Sequence, residues 1–455
     1  MQMKKYLKIS LFCAMLGCLL VYLYNIYSLQ SWWNSQREYV NTELNKEKSK
    51  AKILFVLNDM SATGAPMMAL RLSKILKENG YAVAVMYGYI EDIRPEFEEL
   101  KIPVVNALIN RKNAKLYQEF ASDFDLVIVN GERRIFDYAK ASEVTPAIWW
   151  IHELMTELKY AVMGKFLNDD KKKEIIKRLE ALEKIKTTKQ YEPTDDEIEH
   201  KKTVDSIDAF KVYYNADIVT VSELARSFIY KYVKKDVEVI NNGVDSAEIE
   251  DSLEEGNSDL YHSLLKDKNE NNKIVFLQVG HVVKRKAVHL TLEAIRRLPK
   301  EYQDKIVLYI VGWNDNEYGD LLKETYFNLS NVKWVGQVSR EVLNDYYRVA
   351  DVLMVPSSRD PAPCVVTEAA MYGVPAIISN MVGSTYIIKD NDSGFIFPFP
   401  YVDILKDKIM HCIDNPDSCR KMGEKAKQYF YETSTKDMFA KKWLEKIENK
   451  LKEGK

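Results

Sequence analysis

The stretch 351–380, DVLMVPSSRDPAPCVVTEAAMYGVPAIISN, constrains the fold more than any other part of the chain. An apolar strand over 352–356 follows Asp351. A loop of small, polar and proline residues, 357–363, comes next. Then comes a helix that carries Glu368 and is stopped by Gly373, and a second buried strand over 375–379. Pro361 and Pro363 stiffen the loop, and a glycine just past a helix is a usual stop. Strand, loop and helix in this order put polar groups at the carboxyl ends of parallel strands, where open α/β sheets bind ligands. Asp360 and Glu368 stand eight positions apart, one in the loop and one in the helix. Two acids so spaced also arise by chance in α/β proteins, so the pair gains meaning only from what surrounds it.

With 455 residues the chain has room for two ordinary domains and accessories. A net charge of −2 gives no sign of a nucleic-acid binder. The five cysteines form no metal-ligand spacing. Being odd in number and dispersed, they fit buried or reduced thiols rather than a disulfide frame.

Near the N-terminus, Lys4, Lys5 and Lys8 precede the apolar run 9–24, and apolar character continues to Trp33. About 20 apolar residues cross a bilayer as a helix, so 1–33 reads as a single-pass membrane anchor. Tyr24, Tyr27, Trp32 and Trp33 resemble an interfacial aromatic belt. A cleaved signal peptide is the alternative, against which stand the length of the run and the lack of a small-x-small site. A lipoprotein signal ending at Cys18 is opposed by the apolar LLVYLY after it. The basic residues on either side give only a weak orientation bias.

The polar segment 34–50 reads as a stem. A first α/β domain is predicted over 51–242, with strands at 52–57, 81–87, 126–129, 147–151, 218–222 and 237–240, and a helix over 67–79. A Lys- and Glu-rich insertion over 164–212 reads as a solvated helical face. A second domain, 243–430, carries strands at 274–279, 306–311, 332–334, 352–355 and 376–378. The tail 431–455 is a further helix. Alternating strands and helices imply parallel, doubly wound sheets.

The passage 351–380 resembles the acid-x7-acid signature of the retaining glycosyltransferases of family four, which have the GT-B fold. Glu368, its Glu-Ala pair and the following Gly-x-Pro match; the usual first acid, Glu, is here Asp360. The loop Gly280-His281-Val282-Val283-Lys284-Arg285-Lys286 resembles the family's Gly-Arg-x-x-x-x-Lys, with His281 where Arg is usual. The serine after strand 218–221 and the Asn-Gly-Val-Asp linker fall in the family order. The resemblance implies two Rossmann-like domains facing a cleft, with the last helix returning to the first domain. Lys286, with Arg285, would neutralise a departing diphosphate. Glu368 would accept hydrogen bonds from ribose hydroxyls, and Asp360 would lie near the donor sugar. Backbone N–H groups around Cys364 and Val365 would hold phosphate or sugar oxygens. His152, in Trp-Ile-His-Glu at the end of strand 147–151, would contact the sugar or acceptor, or act through its carbonyl. Gly64, in Ser-Ala-Thr-Gly-Ala-Pro before a helix, would let a ligand approach the helix N-terminus.

Each of these has a plainer reading: a strand–helix turn at Gly64, a basic surface loop at 284–286, a satisfied histidine at 152. Tyr386 stands where the family usually has Glu, a further departure. There is no His-Glu-x-x-His, no Cys-x-x-Cys and no Walker lysine motif. No metal or cofactor is therefore expected. The expected partners are a nucleotide-sugar donor, a glycan or lipid-linked acceptor and a membrane. In a bacterium such donors are cytosolic, which would put the globular part on that face; in a eukaryote a Golgi lumen serves as well. A degenerate relative that binds nucleotide sugar or glycan without turnover, and a nucleotide-sugar epimerase, are the rival readings.

Overall fold

The computed structural model describes residues 27–110, 112–153, 209–244 and 258–453. The expected span over 9–24 lies outside them, and so does the charged insertion except for its last residues, in helix Ala209–Asn215. Among the described residues no helix is long and apolar enough to cross a membrane. Two expectations for this region are corrected. Residues 27–44, read as the end of the anchor and part of a stem, are helical. Trp33, expected in an interfacial belt, is 2% exposed and packs edge-on against Phe120 at 5.7 Å. Trp33, Val40 and Leu44 are all buried, and their spacing puts them on one face of the helix. Arg37 and Asn41 both donate to Asp123 from that helix.

On its described residues the chain divides into two compact units. One runs to Trp149 and includes the chain's last few residues; the other runs from Trp150 to Glu448. Strands β1 (Lys52–Asp59), β2 (Ala82–Tyr89), β3 (Val104–Asn106), β4 (Leu126–Asn130), β5 (Ala147–Ile151), β6 (Ile218–Thr220) and β7 (Glu238–Val239) form one sheet, in the order β3-β2-β1-β4-β5-β6-β7. β1 pairs in parallel with both β2 and β4. The helix after β1 starts at Gly64, three residues earlier than its apolar pattern predicts. Pro66 is tolerated because the first turn needs no intrahelical N–H donor.

The second sheet comprises β8 (Ile274–Val279), β9 (Ile306–Val311), β10 (Val332–Gly336), β11 (Val352–Val355), β12 (Ala376–Ser379) and β13 (Gly394–Phe397). Its order is β10-β9-β8-β11-β12-β13, with parallel pairing throughout. Side chains alternate between two cores, one on each face, as the two-residue period of a strand requires. Val275, Leu277, Leu353 and Val355 enter one core; Phe276, Val352 and Met354 enter the other. β8 lies between β9 and β11, so the connections leaving β8 and β11 part in opposite directions. That is the topological switch point, where a doubly wound sheet opens a crevice at its strand ends.

The last helix, Lys436–Glu453, packs Trp443 against Trp150 of β5 at 4.6 Å. Its Lys446 bonds Asp217 at 2.7 Å and lies 3.2 Å from Glu238. Gly243 is the residue that permits this approach: a Cβ there would come within 2.3 Å of Phe439 Cβ.

Candidate functional site

Two loops meet at the switch point of the second sheet. The first leaves β8 at Gly280, whose φ of +128° suits glycine. Gly312, with φ +133°, ends β9 beside it; a Cβ there would strike Gly280 O at 2.3 Å. The chain then forms a short 3₁₀ turn, Lys284–Lys286, and passes through Ala287 (φ +50°) into the helix Val288–Arg296. This turn presents three basic side chains at the end of β8.

The second loop, 357–363, leaves β11 and is held from four sides. Ser358 donates to Arg285 O through both N (2.8 Å) and Oγ (3.1 Å). Asp360 N donates to Met381 O at 3.0 Å, and Gly383 N donates to Asp360 O at 2.9 Å. Asn242 Nδ2 donates to Ala362 O at 3.3 Å. Ser222, the N-cap of helix Glu223–Val233, lies close enough that a Cβ on Gly383 would come within 2.4 Å of its Oγ. The serine after β6, the asparagine that opens the linker, the basic loop and the acid loop therefore converge on one place.

At their meeting point Lys286 Nζ lies 2.5 Å from Asp360 Oδ2. Asp360 is 6% exposed; Ser357 Oγ donates to the same oxygen at 3.3 Å, and Arg285 Nη1 stands 3.8 Å away. A lysine ammonium has three donors, so the pairing leaves capacity for an anion while fixing the side chain. Arg285 is half-exposed. Cys364 and Val365 open the helix Cys364–Met371 behind Pro363, and the first N–H groups of a helix have no intrahelical acceptor. His281 is exposed, with its ring edge-on to Trp313 at 5.8 Å.

Glu368, in the second turn of that helix, is also 6% exposed and has two partners that sequence reasoning missed. Arg340 Nη1 donates to Oε1 and Tyr347 OH donates to Oε2, both at 2.8 Å. Arg340 and Tyr347 lie on helix Arg340–Val349, seven residues apart and so on one face. That spacing was the available signal; the separation of 28 positions between Arg340 and Glu368 hid the pairing. Burial works against the Arg340 charge, but Glu368 outweighs it and raises the guanidinium pKa. Burial, then the Glu368 charge, push Tyr347 far above the usual phenol range. Tyr386 has its hydroxyl buried, and burial pushes its pKa up to about 12, so it stays neutral where the family resemblance expects an acid.

Gly64 stands exposed at the N-terminus of helix Gly64–Glu78, in the first unit. His152 follows β5 with its ring 4.5 Å from Trp150, and its Nε2 is buried with no hydrogen-bond partner among the described residues. Burial lowers its pKa to about 3, so the imidazole is neutral near pH 7 and serves as no cation there. Linkage fixes the sign: the unfolded histidine takes up a proton near its ordinary pKa of 6.5, while the folded one does not. Stability is therefore fully present above about pH 6.5 and is lost as pH falls toward 3, at up to about 1.4 kcal/mol per pH unit. Relative to His152→Gln, the wild type should weaken between about pH 6.5 and 4 in urea titrations. A difference independent of pH would mean the imidazole is not held neutral.

Residues 48–227 match the family described as Glycosyl-transferase family 4, and residues 264–429 match Glycosyl transferases group 1. Two glycosyltransferase family models thus match the chain in succession, the group 1 model over its second sheet. The chain's α/β architecture with two Rossmann-like parallel sheets is that of the GT-B fold. An uncharacterized glycosyltransferase of Methanocaldococcus jannaschii, MJ1607, is 24% identical over 204 residues, 43% of this chain and 51% of its own. The lipopolysaccharide glucosyltransferase WaaG of Escherichia coli is 28% identical over 127 residues, 28% of this chain and 33% of its own. The chain thus spans about half or less of the length of these curated relatives. The crystal structure of Anabaena Alr3699/HepE in complex with UDP superposes with a TM-score of 0.65 at 16% identity, covering 88% of this chain and 100% of that one. At that identity the likeness shows the fold alone. The basic loop and the acid pair both sit on the second sheet, within the group 1 match.

Proposed function

We propose that the chain is a retaining, nucleotide-sugar-dependent glycosyltransferase, anchored at a membrane by its N-terminal span. It would move a sugar to a glycan or lipid-linked acceptor in surface polysaccharide or glycolipid synthesis. The observation that carries this reading is the Lys286–Asp360 contact of 2.5 Å, with Arg285 beside it, at the switch point of the second sheet. A fixed cation there suits a leaving diphosphate. Preorganised charge aimed at a departing oxyanion is commonly the largest catalytic term. In the reaction the bond from the anomeric carbon to the diphosphate oxygen breaks and a bond to the acceptor oxygen forms on the same face. The acceptor proton passes to the departing diphosphate. Lys286 and Arg285 meet the charge that develops, without a metal or cofactor. Glu368 holds the ribose, and the N–H groups at Cys364 and Val365 face phosphate oxygens. Asp360 orients Lys286 near the donor sugar. His152, neutral, contributes a polar contact rather than charge. WaaG, a lipopolysaccharide glucosyltransferase, and HepE, crystallised with UDP, favour a nucleotide-sugar donor and a surface-glycan acceptor.

A second reading, a degenerate protein that binds nucleotide sugar or glycan as a partner in an assembly complex, rests on His281, Asp360 and Tyr386, which stand where the family usually has Arg, Glu and Glu. Purified full-length chain incubated with a panel of nucleotide sugars separates the two. Release of nucleoside diphosphate, with an unchanged anomeric configuration by NMR, is expected. Nucleotide binding without sugar release from any donor would give the case to the second reading.

A further inference from the structure

The family resemblance implies a lone carboxylate, Glu368, for a ribose diol, yet the structure surrounds it with donors. Its side chain is buried, Tyr347 is fully buried beneath it, and Arg340 closes over Oε1 with 42% of its own side chain still exposed. A carboxylate with no fixed partner would choose among rotamers, and burying its charge unpaired would cost several kcal/mol. Here one acceptor site on each oxygen is used by a charged or phenolic donor, and each oxygen keeps a second lone pair. The carboxylate plane is thus set by two bonds that originate on one rigid helix, Arg340–Val349, whose N-cap Ser339 accepts from Val342 N at 3.4 Å.

We propose that Arg340 is a positioning residue for the donor nucleotide, which, together with Tyr347, fixes the Glu368 carboxylate in the orientation that a ribose cis-diol requires. This inference rests on the nucleotide-sugar reading above and deepens it: the ribose is read by a three-residue unit rather than by one acid. Arg340 acts through Glu368, so its removal is felt only by ligands that present the diol.

The test is isothermal titration of the full-length chain with UDP, ADP and GDP and with their 2′,3′-dideoxy counterparts, on wild type and Arg340→Ala. Hydrogen bonds to charged groups are worth about 1.5–3 kcal/mol. For the ribonucleotide that the wild type binds, Arg340→Ala should therefore raise Kd by on the order of tenfold or more. The Kd of its dideoxy counterpart should change less than about twofold. Arg340→Lys, which keeps the charge but not the fork geometry, should recover part of the loss. It also serves as the informative variant if alanine compromises folding, which thermal melts would reveal. An unchanged ribonucleotide Kd overturns the inference, as does an equal loss for both sugars, which would mark Arg340 as a structural or general electrostatic residue. If the wild type binds none of the three ribonucleotides, the nucleotide-sugar reading itself falls.

Discussion

Lys286→Ala is expected to lower turnover by a hundredfold or more at saturating donor. Its ammonium is the most buried of the three basic groups after β8, and its 2.5 Å contact with Asp360 holds it in place before any ligand arrives. Losing one preorganised group at a developing oxyanion costs about 3 kcal/mol, and each 1.4 kcal/mol is a factor of ten. Arg285 does not replace it, because it is half-exposed and stands 3.8 Å from the same Asp360 oxygen. Substitution also strips a buried carboxylate of its counter-ion, which is destabilising in its own right. Lys286→Ala with Asp360→Asn removes that penalty: the double variant should recover melting temperature toward wild type while turnover stays low. Recovery of turnover along with stability would reduce Lys286 to a structural partner of Asp360, and near-normal turnover in the single variant would remove it from the chemistry.

Most of the sheet architecture was legible because buried parallel strands read as short apolar runs. IVFLQV and IVLYIV fall on β8 and β9 without a shift in either boundary. β3 and β13 were missed: one is a three-residue strand, the other four residues beginning at Gly394. Neither stands out as an apolar run: VVN ends on a polar residue, and GFIF opens on a glycine that reads as a turn. The helix 27–44 was misread for another reason. Its charged residues suggested a solvated stem, whereas Trp33, Val40 and Leu44 at helical spacing are its buried face. Lys286 was found in one motif, and Asp360 with Glu368 in another. Their partnerships were not, since the Lys286–Asp360 contact joins residues 74 positions apart and Arg340 and Tyr347 come from another helix. Pattern identifies a residue's own element, while pairing across elements depends on the strand order, which puts β8 next to β11.

Glu368→Ala is expected to weaken ribonucleoside diphosphate binding by about a hundredfold and to cost about 2–3 kcal/mol of stability. The two effects have different sources. On the proposed reading the affinity loss follows from removing both carboxylate oxygens that would face the diol, so it should exceed that of Arg340→Ala, which only frees them. The stability loss follows from what remains. Tyr347 is fully buried and its hydroxyl loses the acceptor 2.8 Å away, while Arg340 can turn its half-exposed guanidinium toward water and loses less. The phenol should therefore dominate, and Glu368→Ala combined with Tyr347→Phe should be no less stable than Glu368→Ala alone. Ligand binding only the folded state raises its stability in proportion to the logarithm of ligand concentration over Kd. The melting-temperature gain that the wild type shows with millimolar nucleotide should thus nearly vanish in Glu368→Ala. An undiminished gain would mean that the ribose is held elsewhere on the second sheet and that the buried carboxylate serves only to tie helix Cys364–Met371 to helix Arg340–Val349.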